Sequence, residues 1–141
     1  MKNLFSKNEY SELDKVLREI SKEFGTQFSF NSLVNSWKTF VFRCESGYSD
    51  CIDEYLNDIS VREILYFIRK RVGVNLSNKI NKILDPLDSS FLSVTNPIKD
   101  PLINLPEGQE EIHNLLYFRV PKKLIGDLKE DINFHLMRQK E

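Results

Sequence analysis

Hydrophobic residues recur at intervals of three and four along most of the chain, which is the spacing of one face of an α-helix. The first such stripe covers residues 10–24 and is followed by Gly25, a typical helix stop. A second stripe begins after Asn31, a candidate N-cap, and runs to Gly47. These patterns predict two amphipathic helices in the N-terminal third.

The stripe continues through the middle of the chain, where local signals divide it into further helices. One helix is predicted to begin near Ser49. Ser60 and Glu63 form the Ser-x-x-Glu pattern of a capping box, which predicts that a separate helix begins there and ends at Gly73.

The next stripe is also divided by a local signal. Its first part predicts a helix whose N-cap is Asn75 or Ser77. Asp85 and Pro86 then predict a new helix start, because Pro fits the first position of a helix.

The segment from residue 97 to residue 121 is predicted to be irregular, because four of the five prolines lie in it. A turn of helix is predicted at residues 109–115. Tyr117, Phe118 and Val120 are apolar enough to hold an extended segment on the core, and Pro121 is predicted to start the last helix. The sequence therefore predicts an all-α fold: a single compact domain over residues 1–141, with about six to eight helices and a Pro-rich irregular wrap before the last helix.

Composition and charge narrow the class of protein. Hydrophobic residues make up 40% of the chain and charged residues 29%, as in soluble globular proteins. The net charge of -1 gives no bulk reason to expect a nucleic-acid partner. The N-terminus lacks the apolar region of a signal peptide, and no apolar run approaches bilayer length. We expect a cytoplasmic protein without a membrane partner.

Residue types that carry chemistry are sparse. Cys44 and Cys51 are too few for a disulfide framework or a zinc site, so we expect reduced, buried thiols, with a bridge across the turn as the alternative. His113 and His135 lie in different predicted elements, without a nucleophile motif beside either. We therefore expect no catalytic residue, no metal site and no cofactor.

Acidic residues concentrate in two segments without Lys or Arg, residues 45–60 and residues 100–118. They are either a solvated helix surface or a docking surface for a basic protein. Tyr48 either packs at a helix end or stands exposed as an anchor. Tyr55 belongs to the apolar stripe of its predicted helix and is also a second candidate anchor. The candidate partner-binding residues are Glu45, Tyr48, Asp50, Asp53, Glu54, Asp58, Asp100, Glu107, Glu110 and Glu111.

Basic residues gather over the predicted fourth and fifth helices, and they support an alternative function. A face of this kind suits a binding module for nucleic acid or an acidic protein. Cations near a helix end are also favoured by the helix dipole. The residues are Arg62, Arg69, Lys70, Arg71, Lys79 and Lys82.

A series of motifs between residues 30 and 125 forms a joint pattern. The motifs are Trp37-x-x-Phe40-Val41, Glu45-x-Gly47-Tyr48, Glu54-Tyr55-Leu56-Asn57-Asp58-x-Ser60-Val61-Arg62, Leu87-Asp88-x-x-Phe91-x-x-x-Thr95, Pro97 and Arg119-Val120-Pro121. This pattern resembles the small helical immunity proteins of contact-dependent growth inhibition and related polymorphic toxin systems. One departure is the stretch 115–118, Leu-Leu-Tyr-Phe, where the resemblance implies a Trp-rich segment.

The resemblance implies a cytoplasmic antidote that binds a cognate toxin domain, often a nuclease, and blocks its active site or substrate cleft. It implies no cofactor and leaves the oligomeric state open. In such systems the contact surface varies between cognate pairs, so the shared motifs are expected to serve the fold. The acidic segments are then the candidates for toxin contact.

Overall fold

The computed structural model describes residues 4–105 and 110–139. Six helices and one small two-stranded sheet make up the described part of the chain, so the predicted mostly helical single domain is confirmed. The elements in chain order are α1 (Lys7–Phe24), α2 (Phe30–Ser46), α3 (Ile52–Arg71), α4 (Val74–Ser93), β1 (Thr95–Pro97), α5 (Glu111–Leu116), β2 (Arg119–Pro121) and α6 (Gly126–Gln139).

The helix α3 lies at the centre of the fold and contacts each of the other five helices. A helix that is surrounded in this way buries residues on several faces rather than along one stripe. Its buried residues are Tyr55, Ile59, Arg62, Ile64, Leu65, Tyr66 and Ile68.

The first two helices begin and end through local capping. Ser6 and Glu9 form a capping box at the start of α1, and Gly25 ends it in the left-handed conformation with φ 67°. The helix α2 begins after Ser29, whose hydroxyl accepts a hydrogen bond from the backbone N–H of Ser32. The predicted cap at Asn31 is therefore wrong by two residues.

The predicted cap at Asn75 or Ser77 is wrong, because α4 begins after Gly73, and three further predicted helix starts are wrong. The helix α3 continues through Ser60, whose hydroxyl donates to the carbonyl of Asn57 at 2.6 Å instead of capping a new helix. The helix α4 continues through Pro86. Pro121 ends β2, and the last helix begins at Gly126. In each case the local signal is real, but packing of the flanking apolar residues decides the structure.

The Pro-rich wrap folds back onto the helices. Strands β1 and β2 pair in an antiparallel register that places Asn96 opposite Val120. Backbone hydrogen bonds of 2.8 Å extend this contact from Ile98 to Phe118 and from Leu102 to Tyr117. Tyr117 and Val120 are buried, as their apolar character predicts. The wrap is thus attached to the core rather than detached from it.

Trp37 lies at the centre of the core, as predicted, and is fully buried. Its ring stacks on Phe40 with centroids 5.6 Å apart and packs against Phe91 at 5.1 Å. None of the helices in residues 4–105 and 110–139 has the length and apolar character needed to cross a membrane.

Candidate functional site

The motif residues Trp37, Arg62 and Asp88 form a buried polar network between α2, α3 and α4. Asp88 accepts two hydrogen bonds from the guanidinium of Arg62, at 2.9 and 2.8 Å. The indole N–H of Trp37 donates to the same carboxylate at 3.0 Å. The Arg62 side chain is only 7% exposed. This network joins three helices and presents little surface to a partner.

A second network surrounds Tyr48, at the turn between α2 and α3. The Tyr48 hydroxyl donates to Asp58 at 2.6 Å, and the Arg43 guanidinium lies 4.2 Å from the centre of the Tyr48 ring. Arg43 also pairs with Asp50 at 2.7 Å and with Asp58 at 3.3 Å. Burial, followed by the hydrogen bond to Asp58, raises the pKa of Tyr48. Asp58, whose side chain is 31% exposed, is thereby engaged by Tyr48 and Arg43.

The exposed-anchor alternative for Tyr48 is wrong, because the side chain is fully buried. Tyr55, the other candidate anchor, is also fully buried. The two rings meet edge to face at 5.3 Å. Both tyrosines therefore belong to the core in this structure, and neither presents its ring to a partner.

The motif residues Arg119 and Thr95 connect the small sheet to the end of α4. The Arg119 guanidinium donates to the hydroxyl of Thr95 at 2.8 Å and to the Thr95 carbonyl at 2.9 Å. Thr95 in turn donates to the carbonyl of Phe91 at 2.7 Å, which ties β1 to the end of α4. The motif positions at this end of the chain thus hold the wrap on the helices.

The two cysteines differ in burial. Cys44 is fully buried, whereas Cys51 is half-buried at the N-cap of α3. Burial raises the pKa of the Cys44 thiol to about 12. Both thiols are free.

Acidic side chains surround the N-terminus of α3, and some of them come from α6. Asp53 and Glu54 are exposed in the first turn of α3. Asp131 of α6 accepts a hydrogen bond from the backbone N–H of Ile52 at 2.9 Å, and the N–H of Asp127 donates to the carbonyl of Ser49 at 3.0 Å. We call the following residues the α3 acidic surface: Asp50, Asp53, Glu54, Asp127, Glu130 and Asp131.

This surface is only partly neutralised by neighbouring cations. Arg43 pairs with Asp50; Lys122 and Lys123 are exposed just before α6, and Lys129 is exposed in its first turn. Asp53 and Glu54 form no salt bridge within the described residues. The carboxylates therefore outnumber the cations, and the surface carries a net negative charge.

Asp127, Glu130 and Asp131 were missed by reasoning from the sequence. They are separated from Ile52 by more than seventy positions. Lys123 and Lys129 lie near them in the sequence, so that segment shows no excess of acidic residues. Only the packing of α6 against α3 brings them beside Asp53. Glu45, which was predicted, is exposed in the last turn of α2.

The second predicted acidic segment lies elsewhere on the molecule. Glu110 pairs with Lys70 at 3.1 Å and accepts from the Tyr66 hydroxyl at 2.9 Å, and these contacts, led by Lys70, lower its pKa. Tyr66 lies 14 positions after Ile52 in α3, or about 20 Å along the helix at 1.5 Å per residue. Glu110 therefore lies far from the first turn of α3 and is not part of the α3 acidic surface.

The remaining candidates of the second segment are Asp100, Glu107 and Glu111. Asp100 and Glu111 are exposed, and Glu107 lies outside the described residues. His113 is buried: its Nδ1 accepts from the backbone N–H of Glu110 at 3.1 Å. Its Nε2 therefore carries the proton and donates to Glu63 at 3.2 Å. His113 thus fixes the start of α5.

Within residues 4–105 and 110–139, no group of three or more His, Cys, Asp or Glu side chains is arranged to hold a metal ion.

An open groove of about 1000 Å³ lies along α1 and the turn that follows it. It is lined by aromatic rings such as Tyr10 and Phe28 and by charges of both signs. None of the predicted partner-binding residues lines it.

The cations of the predicted basic cluster are largely paired with acids of other elements. Arg62 pairs with Asp88, as described above. Lys70 pairs with Glu110, Arg71 with Glu23 at 2.8 Å, and Lys79 with Glu9 at 2.7 Å. Arg69 lies 5.3 Å from the Tyr66 ring centre, and Lys82 is exposed.

Comparison with known proteins gives no match: no protein-family model, no curated protein and no solved structure is similar to this chain.

Proposed function

We propose that this chain is an immunity protein that binds a cognate toxin domain in the cytoplasm and neutralises it. The proposal starts from the resemblance of its motifs to such proteins. It is supported by one observation above all: Asp53 and Glu54 are exposed and form no salt bridge in the described part of the chain, beside the further carboxylates of α6. The α3 acidic surface is the proposed contact surface.

The physical basis of inhibition is charge complementarity. A nuclease binds phosphates and so presents a basic cleft. A rigid acidic surface can occupy such a cleft in place of the substrate, and it needs neither a catalytic group nor a cofactor. Acidic side chains in the first turn of α3 also stabilise that helix through its dipole, so helix stability is part of the reason for acidic residues at Asp53 and Glu54. Glu45 lies at the C-terminal end of α2, where a negative charge does not stabilise the helix dipole.

The alternative, a basic face for nucleic acid or an acidic protein, has less support. Four of its six cations are engaged in salt bridges with Asp88, Glu110, Glu23 and Glu9. A nucleic acid would have to compete with these carboxylates for each guanidinium or ammonium group. Salt-dependent binding of this chain to generic DNA or RNA would nevertheless favour the alternative over the immunity function.

The first test is whether a gene beside that of this chain encodes a secreted protein with a toxin-like C-terminal domain; the direct test is then complex formation between that domain and this chain. We expect a one-to-one complex in size-exclusion chromatography and loss of toxin activity at equimolar ratio. Absence of a complex at micromolar concentration would overturn the immunity function. A complex that leaves toxin activity intact would overturn inhibition by occlusion.

A further inference from the structure

The helix α6 is apolar on two faces, and only one of them meets the core. Leu128 and Ile132 are fully buried against the rest of the fold. On the other side Phe134 is 64% exposed and Met137 is 67% exposed. These two residues are three positions apart, so their side chains are neighbours on the helix surface. A contiguous exposed apolar surface is a candidate protein contact site.

Acidic residues lie next to this apolar pair on the same helix face. Asp127, Glu130 and Asp131 precede Phe134 by seven, four and three positions, which places them on its side of α6. Asp131 joins them to the first turn of α3. Arg138, four positions after Phe134, stands 5.9 Å from the Phe134 ring centre on the same face, towards the C-terminal end of α6. The apolar pair therefore forms an edge of the α3 acidic surface.

The charge around the pair distinguishes between possible occupants. A second copy of the chain, packed on the same face by two-fold symmetry, would bring two sets of carboxylates together. Like charges across an interface oppose association. A partner with cations around an apolar pocket would instead be attracted to the acids and could bury the Phe134 ring.

We infer that Phe134, supported by Met137, is the apolar anchor of the interface, and that the partner presents a basic surface around an apolar pocket. This inference rests on the proposed function and deepens it by naming the anchor and the chemistry of the toxin surface. The rings of Tyr48 and Tyr55 are buried in this structure and cannot serve as exposed anchors. The inference assigns the anchor role to Phe134 of α6 instead. A large aromatic ring that becomes buried at an interface is a common source of binding energy.

The test compares Phe134→Ser with Phe24→Ser in affinity for the toxin domain. Phe24 is a matched control: it is 53% exposed and ends α1, next to the Glu23–Arg71 salt bridge. Arg71 ends α3, about 28 Å along the helix from Ile52. We expect Phe134→Ser to raise the Kd by about 30-fold, the effect of an interface hot spot, and Phe24→Ser to leave it unchanged. Thermal denaturation checks that both variants fold.

The outcomes separate the anchor from the function. A complex that forms with wild-type affinity in Phe134→Ser, or that weakens equally in both variants, overturns the anchor and leaves the immunity function standing. Failure of the wild-type chain to bind the toxin domain overturns both. Sedimentation of the chain alone adds one more outcome: a dimer that Phe134→Ser dissociates would assign this face to a second copy and overturn the inference.

Discussion

At the scale of single residues, Asp88 joins three helices, because it lies on α4 and binds Trp37 of α2 and Arg62 of α3. The substitution Asp88→Asn keeps an acceptor but removes the negative charge. The Arg62 guanidinium is then left buried without a counter-charge, and its Nη1 already lacks a hydrogen-bond partner within the described chain. We expect the free energy of unfolding to fall by about 3 kcal/mol in urea denaturation.

The control for this prediction is Asp85→Asn, on the exposed side of the same helix. A surface substitution of this kind changes stability by about 0.5 kcal/mol or less. Equal losses in the two variants would show that the Arg62–Asp88 pair is not needed. Since Asp88 contributes to the fold, the folded fraction of Asp88→Asn should still bind the toxin domain with wild-type affinity.

Gly126 shows how closely the start of α6 approaches the turn before α3. Its φ is 59°, and a Cβ at this position would lie 2.8 Å from the carbonyl oxygen of Ser49. Gly25 has a similar φ of 67° but open space around it. We expect Gly25→Ala to lose about 1 kcal/mol through the left-handed backbone alone. Gly126→Ala should lose clearly more in the same denaturation assay, and equal losses would contradict the steric account.

At the scale of elements, replacing Pro86 inside α4 is expected to stabilise the protein, unlike the substitutions above. Proline lacks the N–H that would bond to the carbonyl of Lys82, four residues earlier, and it costs about 3 kcal/mol relative to alanine in a helix interior. A more restricted unfolded chain offsets part of this cost. We therefore expect Pro86→Ala to raise the urea midpoint, and Asp85→Ala, beside it, to change it little.

The reverse result at Pro86 would also be informative. If Pro86→Ala lowers the midpoint, a bend at this position helps Leu84 and Phe91, which flank it and are both fully buried, to reach the core. The helix signal that Asp85 and Pro86 give in the sequence would then mark a bend in one helix rather than the start of a second.

The elements could be predicted from the sequence where one face of a helix is buried. The helix α1 and its stop at Gly25 are confirmed, and Leu13, Leu17 and Ile20 of the predicted stripe are buried, whereas Tyr10 and Phe24 at its two ends are exposed. The helix α3 was divided wrongly at Ser60, because it packs against five helices and has no single stripe. The capping pattern at Ser60 and Glu63 therefore does not mark a helix start in this structure.

The candidate site was only partly predictable for a related reason. Asp53 and Glu54 stand out because the sequence around them lacks cations. Asp127 and Asp131 join them only through tertiary packing, which no local pattern reveals. The sequence around Tyr48 is compatible with either a core or a surface position. The burial of Tyr48 depends on Asp58 and Arg43, which the fold places around it.

At the scale of the whole molecule, the net charge of -1 conceals an uneven distribution. Four cations of the basic cluster are paired with acids, whereas Asp53, Glu54 and Glu130 form no salt bridge among the described residues. The exposed, unpaired charge around the start of α3 is therefore mainly negative. Such a surface acts on a charged partner before contact, by steering it into the right orientation.

Charge steering predicts an effect on the association rate. In Glu54→Lys/Glu130→Lys, we expect the rate constant for toxin binding to fall by about tenfold at low salt, with the difference fading as salt screens the charges. The matched control, Asp14→Lys/Glu19→Lys, makes the same change in net charge on exposed positions of α1. Stopped-flow fluorescence over a salt series measures both. If the two variants slow association equally, net charge rather than the α3 acidic surface controls binding; if Glu111→Lys slows it most, the contact lies on the second acidic segment, at α5.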